Sequence, residues 1–154
     1  SEKCGKSEVG QATVGGVFVG YEEEGQPLPP SPFDAKVTVF NGTPQGGKPS
    51  LLMYAFTESP LPSSFLVTGV VTNYRKQGFG TRFELPLPKL FGGHGAVTDF
   101  NGTIGKTVKY KGQKRGLISA KCPAAKKLKG RVTVTFTSGT SAVVPITGSC
   151  KQKS

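Results

Sequence analysis

Apolar and polar residues alternate along much of this chain with a period of two, which is typical of half-buried β-strands. The clearest case is the stretch 131–137, where Val132, Val134 and Phe136 alternate with threonines and Arg131. Successive side chains of a strand point to opposite faces. We therefore expect Val132, Val134 and Phe136 to be buried on one face of a strand.

This strand is followed by a turn at Ser138–Thr140 and a second apolar run at Ala142–Ile146, a pattern that predicts a β-hairpin. Other predicted strands cover Val9–Val19 (one bulged strand or two short ones), Asp34–Phe40, Leu51–Thr57, Phe65–Tyr74, Gly80–Leu85, Ala96–Ile104 and Thr107–Tyr110. Leu51–Thr57 is almost continuously apolar, as in a strand buried on both faces. Pro123–Leu128 is the best helix candidate, about one turn long.

So many short strands predict an all-β fold, an antiparallel β-sandwich of the jelly-roll or Ig-like kind, with a partly open β-barrel as the alternative. The length of 154 residues fits a single domain over 1–154. Because the chain begins at Ser1, we expect it to be a processed or C-terminal piece of a longer secreted chain. No run of 18 apolar residues predicts a transmembrane segment.

Two Asn-Gly pairs, at Asn41 and Asn101, indicate tight hairpin turns, since both residues tolerate positive φ. Each pair is followed by Thr, so each also satisfies the N-glycosylation acceptor pattern. The interpretation as turns is favoured here, and glycosylation is the alternative.

Three cysteines are present, and their spacing is unlike that of a zinc site. Cys122 and Cys150 bracket the last strands and are expected to form a disulfide, which indicates an oxidising compartment. Cys4 is then left to pair elsewhere or to stay free. The alternative is three buried thiols in a reducing compartment.

The net charge of +11 is distributed unevenly. Residues 1–103 carry 8 Lys/Arg and 9 Asp/Glu, whereas residues 104–154 carry 12 Lys/Arg and no acid. Such a one-sign segment attracts polyanions. The candidate polyanion-binding residues are Lys109, Lys111, Lys114, Arg115, Lys126, Lys127 and Lys129. Aromatic residues suited to stacking on bases are few there, so no specific nucleic acid is predicted.

Candidates for catalysis and metal binding are weak. His94 is the single histidine and lies in a Gly-rich stretch without a nucleophile elbow, so we interpret it as a loop residue. Glu22–Glu24 lacks the spacing of a calcium loop and is interpreted as a solvated turn. We expect no metal, no cofactor and no enzymatic activity, with a hydrolase using His94 as the distant alternative.

Five parts of the chain carry recognisable motifs: Cys4–Val14, Thr107–Arg115, Ser119–Cys122, Phe136–Thr140 and Cys150. In these motifs the chain resembles a module of large secreted proteins of soil actinobacteria. Cys4–Val14 is similar to the opening of that module, except that Gly5 stands where the pattern has Pro, and the other four are similar to its C-terminal part. The resemblance covers about half of the chain. It implies a secreted, cysteine-paired β module and carries over no catalytic or ligand-binding residue.

The sequence therefore predicts a non-catalytic secreted module with a structural or adhesive role in the cell envelope or extracellular matrix. The alternative is a module that binds an anionic or carbohydrate polymer through its basic C-terminal third. The expected partners are an anionic cell-surface polymer or other envelope proteins.

Overall fold

A computed structural model describes residues 7–20, 26, 29–110, 112–116 and 120–151, with the backbone alone for 107–110 and 113–116. These described residues form ten strands: β1 Glu8–Phe18, β2 Ser31–Asn41, β3 Ser50–Thr57, β4 Ser63–Lys76, β5 Phe79–Glu84, β6 Gly95–Ile104, β7 Thr107–Tyr110, β8 Gln113–Gly116, β9 Lys127–Thr135 and β10 Ser141–Ser149. The predicted all-β fold is confirmed. The helical turn expected at 123–128 is instead a β-turn, in which the Lys126 amide donates to the Pro123 carbonyl at 2.9 Å.

The chain divides into two compact units. The first contains Ser1–Asn73 and Arg82–Ile118, and the second contains Tyr74–Thr81 and Ser119–Ser154. The far end of the β4–β5 hairpin thus belongs to the second unit. A single domain over 1–154 stays a prediction. Among the described residues, no helix has the length and hydrophobicity to cross a bilayer.

Six strands form a curled antiparallel sheet in the order β5-β4-β3-β2-β1-β6, and most of their residues belong to the first unit. The first five follow each other as neighbours, and β6 returns to pair with β1. β1 is a single strand with an irregularity between Gly15 and Gly16, which confirms the bulged alternative. β7 and β8 form a separate two-stranded hairpin.

The hydrophobic core lies on one face of this curled sheet. Its buried members come from β1, β2 and β3: Val9, Ala12, Val37, Val39, Leu51 and Met53. Val39 is the most enclosed, at 1% exposure. At one end of the sheet, Phe91 makes edge-to-face contacts with Phe18, Phe33 and Phe65 at centroid distances of 5.2, 5.2 and 5.5 Å. These rings hold the Gly-rich stretch before β6 against the sheet.

The prediction that β3 is buried on both faces is wrong. Met53 and its alternate neighbours face the core, but Tyr54 is 42% exposed and Phe56 is 38% exposed on the opposite face. The apolar composition of β3 therefore does not reflect burial on two sides.

The predicted turns at the two Asn-Gly pairs are also wrong. Asn41 is the last residue of β2, and the tight turn of that hairpin is made by Gly46 and Gly47, at φ of 55° and 74°. Asn101 lies inside β6, directly opposite Thr13 of β1. Gly102 beside it serves a close approach: a Cβ there would lie 2.5 Å from the Ala12 Cβ.

β9 and β10 form an antiparallel hairpin, which we call the ribbon, and this confirms the predicted hairpin. The predicted burial of Val132, Val134 and Phe136 is wrong, since these side chains are 43%, 44% and 52% exposed. In the described part of the chain, β9 and β10 pair only with each other. Two strands are too narrow to enclose a side-chain layer without a covering element.

Candidate polyanion-binding site

The basic residues of β9 are aligned by the strand itself. Lys127, Lys129 and Arg131 occupy alternate positions, so they share one face of the ribbon, and all three are exposed. Their spacing along the strand is about 6.7 Å, twice the rise per residue. We call these three residues the basic stripe. Val132 and Val134 occupy the other face.

The strand β10 places neutral residues opposite the basic stripe. Ser149 pairs with Lys127, Thr147 with Lys129, and Pro145 with Arg131. Like charges placed directly opposite each other would repel, and this pairing avoids that cost. The two hydroxyl groups beside the ammonium groups add neutral hydrogen-bond donors for an anionic ligand.

A disulfide fixes the end of the ribbon where the basic stripe begins. Cys122 and Cys150 are bonded, with their Cα atoms 5.7 Å apart, which confirms the predicted pairing. Lys126 lies beside it at φ 54°, and its carbonyl accepts a hydrogen bond from the Cys150 amide at 3.0 Å. The covalent bond and this hydrogen bond hold both chain segments together at the base of the ribbon.

Arg131 is oriented by an aromatic ring. Its guanidinium carbon lies 5.2 Å from the centroid of the Phe79 ring, within the range of a cation–π interaction. A guanidinium group that stacks on a ring keeps its N–H donors in its own plane. The contact therefore restricts Arg131 while leaving its donors able to bind an anion.

The end of the β4–β5 hairpin brings two further bases, Arg75 and Lys76, into the second unit. The sequence of this unit contains nine Lys/Arg and no Asp/Glu. Arg75, Lys76 and Arg131 are not among the seven candidate residues predicted from the sequence. The turn at Gln77 and Gly78, both at positive φ, marks the hairpin end that carries Arg75 and Lys76.

The seven predicted binding residues are divided between the two units. Lys126, Lys127 and Lys129 lie in the second unit and are exposed. Lys109 is opposite Lys114, and Arg115 is opposite Val108, in the β7–β8 hairpin of the first unit. Lys111 lies outside the described residues. The common face of all seven residues stays a prediction.

The remaining sequence candidates stand apart from the ribbon. His94 follows a 3-10 turn, where its amide donates to the Phe91 carbonyl at 3.3 Å and its carbonyl accepts from Val19 at 2.8 Å. Both contacts involve the backbone of a loop at the end of the curled sheet. Glu22–Glu24 and Cys4 lie outside the described residues. Within the part of the chain that is described, no three His, Cys, Asp or Glu residues group as metal ligands.

A search for similar proteins adds nothing to this geometry. No family model, curated protein or solved structure matches the chain. A unit with aligned cations, flanking hydroxyls and no acidic residue is suited to a ligand with repeated negative charges.

Proposed function

We propose that this protein is a non-catalytic extracellular module that adheres to an anionic polymer through its second unit. The observation that carries the proposal is the basic stripe on an acid-free unit. Because the sequence of the second unit contains no Asp or Glu, mobile anions from solution neutralise its cations. A polyanion replaces many of these anions at once and releases counterions from its own atmosphere, which favours binding.

The geometry favours a polymer over a small anion. The stripe presents cations at regular intervals of about 6.7 Å, and each by itself contributes little in water. When several cations contact the same polymer molecule, their weak binding contributions combine, because the anionic groups of that polymer are covalently linked. No side chain of the stripe is placed to read a particular sequence or shape, so we expect broad selectivity among anionic polymers.

The extracellular location is supported by the disulfide. Cys122 and Cys150 close a loop of sequence separation 28, and a bond of this kind persists in an oxidising environment. Loop closure over such a distance stabilises the folded unit by about 3.5 kcal/mol in the chain-entropy treatment. We infer that the disulfide keeps the stripe in register outside the cell.

The test compares two charge reversals in the ribbon with two elsewhere. Lys127→Glu/Lys129→Glu reverses two of the three charges of the basic stripe, and Lys48→Glu/Lys89→Glu makes the same change in net charge at exposed sites of the first unit. Retention on heparin and on a sulfonate cation exchanger is measured across a NaCl series. We expect the ribbon variant to elute from heparin at clearly lower salt than the control variant, with a shallower dependence of affinity on salt.

Equal shifts for both variants would show that position does not matter and would overturn the proposed site. Circular dichroism of each variant verifies that the strands persist. Retention of the wild-type protein that does not change with salt would also contradict binding through charge and leave a purely structural role.

A further inference from the structure

The exposed aromatic residues of β3 lie on a continuous patch of the curled sheet, on the face opposite the core. Tyr54 is opposite Leu66 of β4, which is 64% exposed, and Phe56 is two residues further along β3. Large apolar side chains that are grouped on an open sheet, rather than scattered, mark a binding surface. The basic stripe has no part in this patch, which belongs to the first unit.

Strand register extends the patch across five strands, β6-β1-β2-β3-β4. Two rows of directly paired residues cross the sheet: Asn101, Thr13, Lys36, Phe56 and Ser64 in one row, and Thr103, Gln11, Thr38, Tyr54 and Leu66 in the other. Neighbouring strands are about 4.8 Å apart, so each row is about 19 Å long. We call these ten residues the aromatic–polar strip.

The two halves of the strip differ in chemistry. Toward β4 it is aromatic and aliphatic, while toward β6 it consists of amide and hydroxyl side chains. The side chains of this polar half lie around a shallow, open depression of the sheet surface. The Thr13 hydroxyl makes one long hydrogen bond of 3.5 Å to the Asn101 carbonyl, and Gln11 bonds to Glu8 through its amide nitrogen. Among the described residues, the Asn101 side chain and the Thr38 hydroxyl have no hydrogen-bond partner.

We propose that the aromatic–polar strip binds a neutral polysaccharide chain. A pyranose ring has an apolar C–H face that packs on an aromatic ring and equatorial hydroxyl groups that both donate and accept hydrogen bonds. Tyr54 and Phe56 supply the aromatic surface, and Gln11, Thr13 and Asn101 supply the polar partners. A row that crosses five strands accommodates several consecutive sugar rings.

The charge of the strip favours an uncharged ligand. Lys36 is its one ionisable group besides the Tyr54 phenol, in contrast to the nine bases of the second unit. The size of the strip does not suit a second copy of this chain. Two rows of about 19 by 13 Å cover roughly 250 Å², whereas a standard protein interface buries about 800 Å² per partner.

Binding is tested on the full chain at 1 M NaCl, where interactions between exposed charges are largely screened. The probes are insoluble cellulose, chitin and xylan in pull-down experiments, and dextran and laminarin in affinity gels. We expect the wild-type protein to bind at least one of these probes. Tyr54→Ala/Phe56→Ala should weaken that binding by about tenfold or more, since buried aromatic anchors carry much of the binding energy at such sites.

The matched control is Leu61→Ala/Leu87→Ala, which removes two exposed apolar side chains of the first unit outside the strip. It should bind as wild type does, and so should Lys127→Glu/Lys129→Glu, because the basic stripe is not involved. The result therefore stands or fails independently of the proposed polyanion binding. Absence of binding to every probe at 1 M NaCl, or an equal loss in the leucine control, would overturn the proposal.

A second measurement does not depend on the stability of the double variant. Tyr54→Phe keeps the ring and removes one fluorescent phenol. Titration with the probe that binds, in soluble oligosaccharide form, should change the tyrosine fluorescence of the wild-type protein and leave that of Tyr54→Phe nearly unchanged while binding persists. An unaltered signal change in Tyr54→Phe would place the ligand elsewhere and contradict the proposed site.

Discussion

At Gly102, β6 approaches β1 so closely that only a residue without a side chain fits between the two strands. A Cβ would contact the Ala12 Cβ at 2.5 Å, and the nearest backbone atoms of β1 would lie 3.2 Å away. The same Asn-Gly pair is also the strongest short signal for a hairpin turn. Because a glycine required by packing and a glycine required by positive φ look alike in sequence, the turn prediction at Asn101 is wrong.

This close approach predicts that Gly102→Ala is destabilising. The added methyl group must displace β1 or the Ala12 side chain, which costs about 1–3 kcal/mol in a packed sheet. The control is Gly105→Ala, where a Cβ would meet nothing within 4 Å, and its effect should be within about 0.5 kcal/mol. Urea denaturation of both variants measures the difference, and similar costs at the two sites would contradict the tight packing.

Truncation of Phe136, which is 52% exposed, should lower the free energy of unfolding less than truncation of a buried phenylalanine would. Burial of a whole apolar side chain contributes about 1.5–3 kcal/mol, so a half-exposed ring contributes about half of that. Phe136→Ala should therefore lower the free energy of unfolding by about 1 kcal/mol. Hydrogen exchange of the ribbon amides measures it. A loss of 3 kcal/mol or more, as for a core phenylalanine, would show that the ring is covered in solution.

Among the strands, the sequence pattern predicts pairing better than burial. The alternation in 131–137 correctly predicts the hairpin, and the structure extends it to Lys127–Thr135 and Ser141–Ser149. Alternation determines which side chains share a face, whereas distant elements determine what covers that face. The same reason explains β3, where Tyr54 and Phe56 are apolar but exposed.

The disulfide gives a prediction for the ribbon as an element. Cys122→Ser/Cys150→Ser should destabilise the second unit by about 3.5 kcal/mol, because the loop between the two residues is no longer closed in the unfolded chain. Hydrogen exchange should accelerate at the amides of β9 and β10. Amides of β2 and β3, in the core of the first unit, should exchange at their wild-type rates. Uniform acceleration throughout the chain would contradict a local role for the bond.

For the whole molecule, the sequence shows that the basic residues are concentrated after Asp99, but it does not show which basic residues lie in one unit. Lys126, Lys127 and Lys129 were predicted because they follow Asp99, the last acid of the chain. Arg75 and Lys76 come from the nearly neutral part of the chain and lie in the same compact unit as the ribbon. Chain order gives the charge of a segment, and only the fold shows which segments form one unit.

The net charge predicts how solubility depends on pH. With a pI near 9.8, the protein carries a large positive charge at pH 7 that keeps molecules apart. Self-association should increase between pH 7 and about pH 9.8 as the net positive charge of the protein falls, and light scattering at low salt measures this increase. Maximal scattering at neutral pH would contradict charge repulsion as the reason for solubility.

Pro145, opposite Arg131, also affects the self-association of this protein through the edges of its strands. In the described part of the chain, β9 and β10 each pair on one side only, and their exposed valines resemble the segments that stack into cross-β fibrils. Proline has no amide hydrogen and cannot continue such a ladder. Together with the lysines of β9, Pro145 acts as a gatekeeper, and a chain with threonine in its place would nucleate fibrils more readily.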